Sequence, residues 1–549
     1  MASRRKHRGR QKRTSGAQRR SRHDAHARVP EPEIVLPTRG NEPATVVAHV
    51  GPTNSGKTHA ALEFLAETGR GVFAAPLRML AQEAHRRLSA ELGAEHVGLV
   101  TGEERVNEHA PVICCTAEMA PLNSPMHPGE VLVLDEVQWA DDPERGSAWT
   151  RLLLAGEYRH ILLLGAVEAL PLVRNAFPQA EVRFFERKAP LDWTGPVAFQ
   201  SLKPGTVVVA FSRRAVLALA GELNRRQPGK VAVLYGAMPL TARRLEIERF
   251  MTGQATVCCA TDVLGHGVNL PCETLLFAES QKFDGEERRD LHAWEIAQIA
   301  GRAGRFGLVE RGHVGVLTGI SWANADPNLI ESALHPHVQL PGGHLGYRVV
   351  DTARIRPRLD DLPIESPAQL PAALRGWHTA ALRQWASDSW LSVESIGPLL
   401  VRLDVVQRRL RERGRKLSLE QVWKLVNAPV DEDNAELLGT LALALAADRA
   451  ARPVLQWLLE VNRLRDASLE EAEQAARTAS ILRWFALQYP DVGGVSLEKA
   501  AALEEAASRR VSEKLAAEVS SPTVGRCKQC GRSTAPWFAL CERCYTRGR

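Results

Sequence analysis

The stretch from His49 to Thr58, HVGPTNSGKT, narrows the possible folds of this chain more than any other. An apolar run breaks into a glycine-bounded loop that ends in Lys-Thr and opens a helix, the G-x-x-x-x-G-K-[ST] form of a phosphate-binding loop. Such a turn wraps successive backbone N–H groups around a polyphosphate, and glycines remove side chains where the backbone comes closest. The helix that follows points its positive N-terminal end at the same anion. Gly51, Pro52, Thr53, Asn54, Ser55 and Gly56 are the expected cradle. Lys57 would reach the β- and γ-phosphates as a point charge, and the Thr58 hydroxyl would ligate Mg²⁺. Thr45 to Val50 reads as a buried strand entering the loop and His59 to Ala66 as a helix leaving it, which sets the motif apart from a Gly-rich turn that merely ends in Gly-Lys-Thr.

A chain of 549 residues is too long for one core and implies about three or four domains. From about residue 44, short apolar runs alternate with helix-length segments, the pattern of a parallel sheet wound with helices. Candidate strands are Thr45 to Val50, Gly71 to Ala75, Val112 to Cys115, Val131 to Leu134 and His160 to Leu164. The fourth runs into Asp135-Glu136-Val137-Gln138. Adjacent carboxylates delivered at a strand end, downstream of a phosphate loop, suit metal-assisted hydrolysis: Asp135 would hold Mg²⁺ and Glu136 would orient or deprotonate the attacking water. A second alternating block begins near Gly205, with strands expected at Thr206 to Phe211, Lys230 to Leu234 and Ala255 to Ala260. It ends in Gln298-Ile-Ala-Gly-Arg302-Ala-Gly-Arg305, two arginines that would bring guanidinium groups to an anion. This block has no phosphate loop of its own, so it makes best sense as the other half of a shared nucleotide site.

Net charge is a modest +6, but Arg4 to Arg28 is crowded with Arg and Lys, with Asp24 its only acid. That segment reads as a disordered arm attracted to nucleic acid phosphates; a solubilising tail or a transit peptide are the other readings. Cys114, Cys115, Cys258, Cys259 and Cys272 fall in apolar stretches and read as reduced core residues. From about 370 to 515 apolar residues recur at helical spacing, with tryptophans at 377, 385, 390, 423, 457 and 484 that read as core, and Arg408 to Lys416 forms a basic helix end. Cys527-x-x-Cys530 and Cys541-x-x-Cys544 have the spacing of a tetrahedral Zn²⁺ ribbon or knuckle, a segment too short to fold without metal. Trp537 and Phe538 among arginines make it a candidate nucleic acid contact.

Nine motifs in order resemble the superfamily two helicases, and among them the Suv-three-like mitochondrial degradosome RNA helicases. They are GPTNSGKT at 51, APLRMLAQE at 75, TGEE at 101, CTAEM at 115, DEVQ at 135, AFSRR at 210, LYGAMP at 234, ATDVLGHGVNL at 260 and QIAGRAGRFG at 298. The resemblance implies two RecA-like domains with ATP in the cleft between them and single-stranded RNA across their top. It implies γ-phosphate sensing by Gln138 and Gln298, arginine fingers at Arg302 and Arg305, and strand contacts at Arg78, Thr116, Arg213 and Thr261. The expected organisation is a basic arm and linker (1–43), two RecA-like domains (44–190 and 191–325), a helical domain (326–520) and a zinc module (521–549). The expected activity is ATP-dependent unwinding of tailed RNA, or also DNA, duplexes by 3′ to 5′ translocation, with an exoribonuclease as the partner implied by the family. Two alternatives stay open, a translocase or remodeller that does not separate strands and a nucleic acid clamp with a degenerate ATPase; strand displacement and RNA-stimulated ATPase discriminate them. The Ala- and Arg-heavy composition with the zinc tail points to a bacterial cytoplasmic protein, with the mitochondrial matrix as the alternative.

Overall fold

The computed structural model describes residues 34, 36–122, 129–187, 189–264, 270, 272–283, 287–304, 311–320, 322–334, 350–385, 389–430, 434–490, 492–520, 525–526, 528–530 and 533–534. The basic arm, His266, Arg305 and three of the four C-terminal cysteines lie outside these residues.

The first sheet has eight strands: β1 (Thr45–Val50), β2 (Gly71–Ala75), β3 (Val97–Val100), β4 (Arg105–Val106), β5 (Val112–Thr116), β6 (Gly129–Leu134), β7 (Tyr158–Gly165) and β8 (Glu181–Phe184). Their order is β4-β3-β5-β2-β6-β7-β1-β8, parallel except for the β3–β4 pair. Parallel strands covered on both faces read as continuous apolar runs, and Leu132, Val133 and Leu134 of β6 are fully buried. Four helices wind around the sheet: α1 (Lys57–Thr68), α2 (Arg78–Leu92), α3 (Gly146–Ala155) and α4 (Leu170–Ala176). The C-terminal ends of β1, β2, β5, β6 and β7 open on one edge, so the phosphate loop, Arg78, Thr116 and Asp135 rise from the same rim.

The second sheet is built from β9 (Leu191–Ala198), β10 (Thr206–Val209), β11 (Val231–Leu234), β12 (Val257–Ala260), β13 (Thr274–Phe277) and, after the hairpin β14 (Gln281–Phe283) and β15 (Arg288–Asp290), β16 (Gly312–Thr318). Its order is β11-β12-β10-β13-β16-β9, all parallel. Helices α5 (Arg213–Arg226), α6 (Leu240–Met251), α7 (Ala293–Ala300) and α8 (Pro327–Leu334) accompany it. Both sheets are RecA-like. The expected strands are present, while β3, β8, β9, β13 and β16 have no counterpart in the sequence reading. Four of those five carry glycine or charged residues that break an apolar run.

The helical region comprises α9 (Leu370–Gln384), α10 (Gly397–Glu412), α11 (Leu419–Val426), α12 (Ala435–Leu445), α13 (Ala451–Leu459), α14 (Leu469–Gln488) and α15 (Leu497–Ser520). Its core is continuous with one face of the first sheet: Leu134, Trp149 and Leu172 pack in one cluster with Trp377, Leu403 and Phe485. The far ends of α14 and α15 reach the second sheet, where Leu469, Val511 and Leu515 join Val208 and Val233. The long α14 is fixed at its start by a capping box, with Ser468 Oγ accepting from Glu471 N and Glu471 returning to Ser468 N at 2.8 Å. Trp377 and Trp484 are buried and Trp385, Trp390 and Trp423 pack against the core. Trp457 departs from that expectation, 56% exposed with the Arg463 guanidinium 5.0 Å from its ring centroid. The basic end of α10 is not a bare cationic face, since Arg408 and Arg409 pair with Glu436 and Arg415 with Asp448. The five cysteines expected in the core are buried. No described helix is long and apolar enough to cross a membrane.

Candidate active site between the two sheets

The phosphate loop leaves β1 at Gly51, which backbone packing requires: a Cβ there would stand 2.2 Å from the Phe185 carbonyl oxygen. It closes at Gly56, left-handed at φ 93°, which precedes α1 without a side-chain cap and so leaves the helix's first N–H groups to an anion. Ser55 Oγ is buried in the loop with no protein partner among the described residues. Lys57 Nζ donates to the Gly51 and Pro52 carbonyl oxygens at 2.7 and 2.9 Å, which holds the ammonium across the loop's mouth. Burial lowers the Lys57 pKa, opposed by the nearby Glu136 and Asp135 carboxylates.

Asp135 is 5% exposed and continues the register of β6, its N–H donating to the Ala74 carbonyl at 2.8 Å. Its own carbonyl accepts from Trp149 Nε1 at 3.1 Å, and Trp139 stacks on Trp149 with centroids 5.8 Å apart, a rigid floor under the acidic pair. Burial raises the Asp135 carboxyl well above its ordinary range, reinforced by Glu136 and opposed by Lys57. Glu136 has φ 51° and ψ 56°, a left-handed conformation uncommon for a non-glycine residue and of the kind that accumulates at active sites. Gln138 spans the gap to the next strand: its Nε2 donates to Glu136 Oε2 and its Oε1 accepts from Ala166 N at 3.4 Å.

The second sheet supplies the other wall. Asn54 Nδ2 donates to the Gly301 carbonyl at 2.8 Å and to the Gly304 carbonyl at 3.3 Å. A Cβ on Gly301 would fall 2.9 Å from Thr53 Cβ, so the two domains meet at this point. Arg302 is deep in the interface; burial lowers its pKa, and the Glu136, Glu83 and Asp135 carboxylates oppose that shift. Gln298 sits half-buried on α7, four residues before it. Lys57 therefore faces Asp135, Glu136, Glu168 and Arg302 together. Three carboxylates against two cations, beside uncapped backbone donors, suit a triphosphate with a divalent cation.

The residues expected to touch a nucleic acid strand are distributed differently. Arg78 opens α2 and pairs with the buried Glu103, whose carboxyl is pushed up by burial against the pull of Arg78. Arg213 opens α5, 3.2 Å from the Glu473 carboxylate of α14 and over the Tyr235 ring. Thr116 and Thr261 are buried at the ends of β5 and β12. A cleft of about 240 Å³ runs between the domains under α14, bounded by Arg78, Met238, Arg243, Glu473, Arg477 and Ser480. Its roof is tied to the first domain by Arg483, which donates to Glu103 O at 3.1 Å and pairs with Glu504. Sequence reasoning gave no role to Glu168 or to Arg187, both of which lie outside the nine motifs.

Residues 33–185 match the DEXQ-box helicase domain of Suv3, and residues 196–307 match the helicase conserved C-terminal domain. The mitochondrial ATP-dependent RNA helicase SUV3 of Saccharomyces cerevisiae is 30% identical over 502 residues, 86% of this chain and 64% of the yeast protein. The mitochondrial DExH-box ATP-dependent RNA helicase DExH16 of Arabidopsis thaliana is 37% identical over 285 residues, 50% of this chain and 49% of the plant protein. The chain thus spans less than two thirds of the length of the relatives it matches. The bacterial cytoplasmic setting expected from composition is overturned by these matches, since the relatives are named as mitochondrial proteins. An Ala- and Arg-rich make-up reflects helix content and surface charge, which do not encode a compartment.

Proposed function

We propose, from a chain that carries a Suv3-type DEXQ-box helicase domain followed by a helicase conserved C-terminal domain, that this protein is an ATP-dependent RNA helicase. The observation that carries the reading is the convergence of Lys57, Asp135 and Glu136 from one domain with Arg302 from the other in a single charged site. The phosphate loop from Gly51 to Thr58 would hold the triphosphate, with Thr58 and Asp135 on Mg²⁺. Glu136 orients the attacking water and Arg302 stabilises charge on the transferred phosphoryl, with Arg305 as its expected companion. Gln138 and Gln298 sense the nucleotide from either side of the cleft. Because Arg302 and Lys57 belong to different domains, the nucleotide state biases how the domains meet.

RNA is the substrate that the relatives' names support, and the cleft beneath α14 is its route through the molecule. Arg78 and Arg213 reach a strand there by exchanging their carboxylate partners for phosphates, and Thr116 and Thr261 add sugar and phosphate contacts. Unwinding follows from translocation, 3′ to 5′ by analogy with the family, and an exoribonuclease is the corresponding partner. Cys527, Cys530, Cys541 and Cys544 hold Zn²⁺ in this reading. Its support is that the short antiparallel pair Gly525–Arg526 with Ser533–Thr534 brackets the first Cys-x-x-Cys, with Cys530 on an exposed turn. Strand displacement with 3′- and 5′-tailed RNA and DNA duplexes tests the proposal: ATP-dependent displacement of 3′-tailed RNA is expected, and RNA-stimulated ATPase without displacement would leave a translocase. One zinc per chain by metal analysis is the expected result for the tail, and none would refute it.

A further inference from the structure

We propose that Arg187 is a positioning residue for ATP hydrolysis, a clasp between the two domains that fixes the Arg302 segment against the phosphate loop. The proposal rests on the ATPase reading above and adds to it a residue outside every motif. Arg187 lies in the connection between the sheets, after β8 ends at Phe184 and before β9 begins at Leu191. Its Nε donates to Ala189 O at 2.5 Å, within the connection. Nη1 donates to Thr53 O at 2.9 Å in the phosphate loop and to Gly301 O at 2.8 Å in the second domain. Nη2 donates to Ala303 O and, at 3.1 Å, to Gly304 O.

A guanidinium has five N–H donors, and these five carbonyls match them one for one. All the acceptors are main chain, so the contact reads position, not side-chain identity. Burying a charge without full hydrogen bonding is costly. Burial does push the Arg187 pKa down, to about 10, with Cys272 opposing and Arg302 adding to the shift. Three of the acceptors follow the C-terminal end of α7, where the helix presents negative partial charge. The residues on either side of Arg302, Gly301 and Ala303, both accept from the same guanidinium that holds Thr53. Arg302 is thereby placed by its own backbone neighbours relative to the loop, and Asn54 adds the second tie across the same gap. A lysine cannot reproduce this, since its three tetrahedral donors do not fit a planar fan of five acceptors.

Misplacing a transition-state group by about 1 Å costs on the order of 100-fold in rate, while Lys57 and the loop stay in place to bind ATP. The experiment uses the full chain with Arg187→Ala and Arg187→Lys. It measures steady-state RNA-stimulated ATP hydrolysis, thermal melting, and hydrogen exchange of peptides covering 51–56 and 298–304. Expected are a kcat lowered about ten- to hundredfold with the KM for ATP within about threefold of wild type, no rescue by lysine, and faster exchange in both peptides. A kcat within about twofold of wild type, a loss carried wholly by KM, or full rescue by lysine would overturn the clasp. If Arg187→Ala melts before assay temperature, Arg187→Lys decides alone. A wild-type chain without ATPase activity defeats the functional reading instead; the clasp is then judged by exchange, and unchanged protection in both peptides refutes it.

Discussion

The chain crosses from strand to helix twice in closely similar ways, at β1 to α1 in the first domain and at β10 to α5 in the second, and only one crossing is left open to an anion. At α1 the N-cap is Gly56 and makes no side-chain cap. At α5 the N-cap is Ser212, whose Oγ accepts from Ala215 N at 3.1 Å, and Phe211 N donates to the Glu279 carboxylate at 2.9 Å. The second domain has filled its own helix N-terminus with a hydroxyl and a carboxylate, the groups a phosphate would otherwise replace. In the proposed reading two similar folds divide one site: the first keeps the cradle, and the second gives it up and contributes Arg302.

The largest effects should come from removing the one group each domain cannot replace. Lys57→Ala and Arg302→Ala should each lower RNA-stimulated ATP turnover by on the order of 10³-fold or more, and Arg302→Lys should recover little because a point charge does not replace a planar fork. Steady-state phosphate release checks this. Activity near wild type in the Arg302 variant would mean that the first domain is a complete ATPase and that the division of labour is wrong. Gly56→Ser gives the first crossing the cap of the second. The left-handed φ of 93° costs a side-chain-bearing residue about 1–2 kcal/mol, and the new hydroxyl competes for the N–H groups meant for phosphate. The KM for ATP should rise about tenfold, worth about 1.4 kcal/mol of binding; an unchanged KM would show that the uncapped terminus is not what binds the anion.

These crossings were legible because their signal is local: the spacing of glycines, Lys57 and Thr58, and the apolar run before Asp135, are each fixed within a few residues. The nine ordered motifs likewise gave the pairing of the two α/β domains. What stayed hidden depends on contacts between distant segments. Arg187 is one basic residue in a charged connection, and its role exists only because Thr53 and Gly301 meet there. Glu168 faces Lys57 only after β7 is laid beside β1. Helical periodicity marks the apolar stripes of α9 to α15 but not their target, so the core they share with the first sheet could not be read. Arg78 and Arg213 read as free strand contacts, whereas their carboxylate partners, Glu103 and Glu473, lie 25 and 260 residues away in sequence.

A smaller effect should separate the supports of the two site halves by pH. Glu295, in the first turn of α7, carries the helix whose C-terminal end leads into Arg302. Burial alone would raise its carboxyl, but hydrogen bonds from Arg289, Lys282 and the His292 N–H hold it at about 2, below its ordinary 4.5. A carboxylate depressed in the folded state stabilises above its unfolded pKa, and the contribution is lost as pH falls from about 4.5 toward 2. Glu295→Gln should therefore destabilise the second domain by roughly 2 kcal/mol at pH 7 and by much less near pH 2. Chemical denaturation at the two pH values checks this, and an equal loss at both would assign the effect to packing.

The smallest effect is the most specific to the comparison. If Ser212 only satisfies a helix terminus, Ser212→Ala should cost about 1 kcal/mol, the usual worth of an N-cap, and lower the Tm by a few degrees. ATP turnover should stay as it was, because the Ser212 contact with Ala215 N lies in a crossing that binds no phosphate in this reading. The pair Ser212→Ala and Gly56→Ser then forms an exchange between like positions, in which one variant loses stability without activity and the other loses nucleotide affinity. A marked rise in KM for ATP in Ser212→Ala would break the comparison, since it would place the second helix terminus, like the first, within reach of the nucleotide.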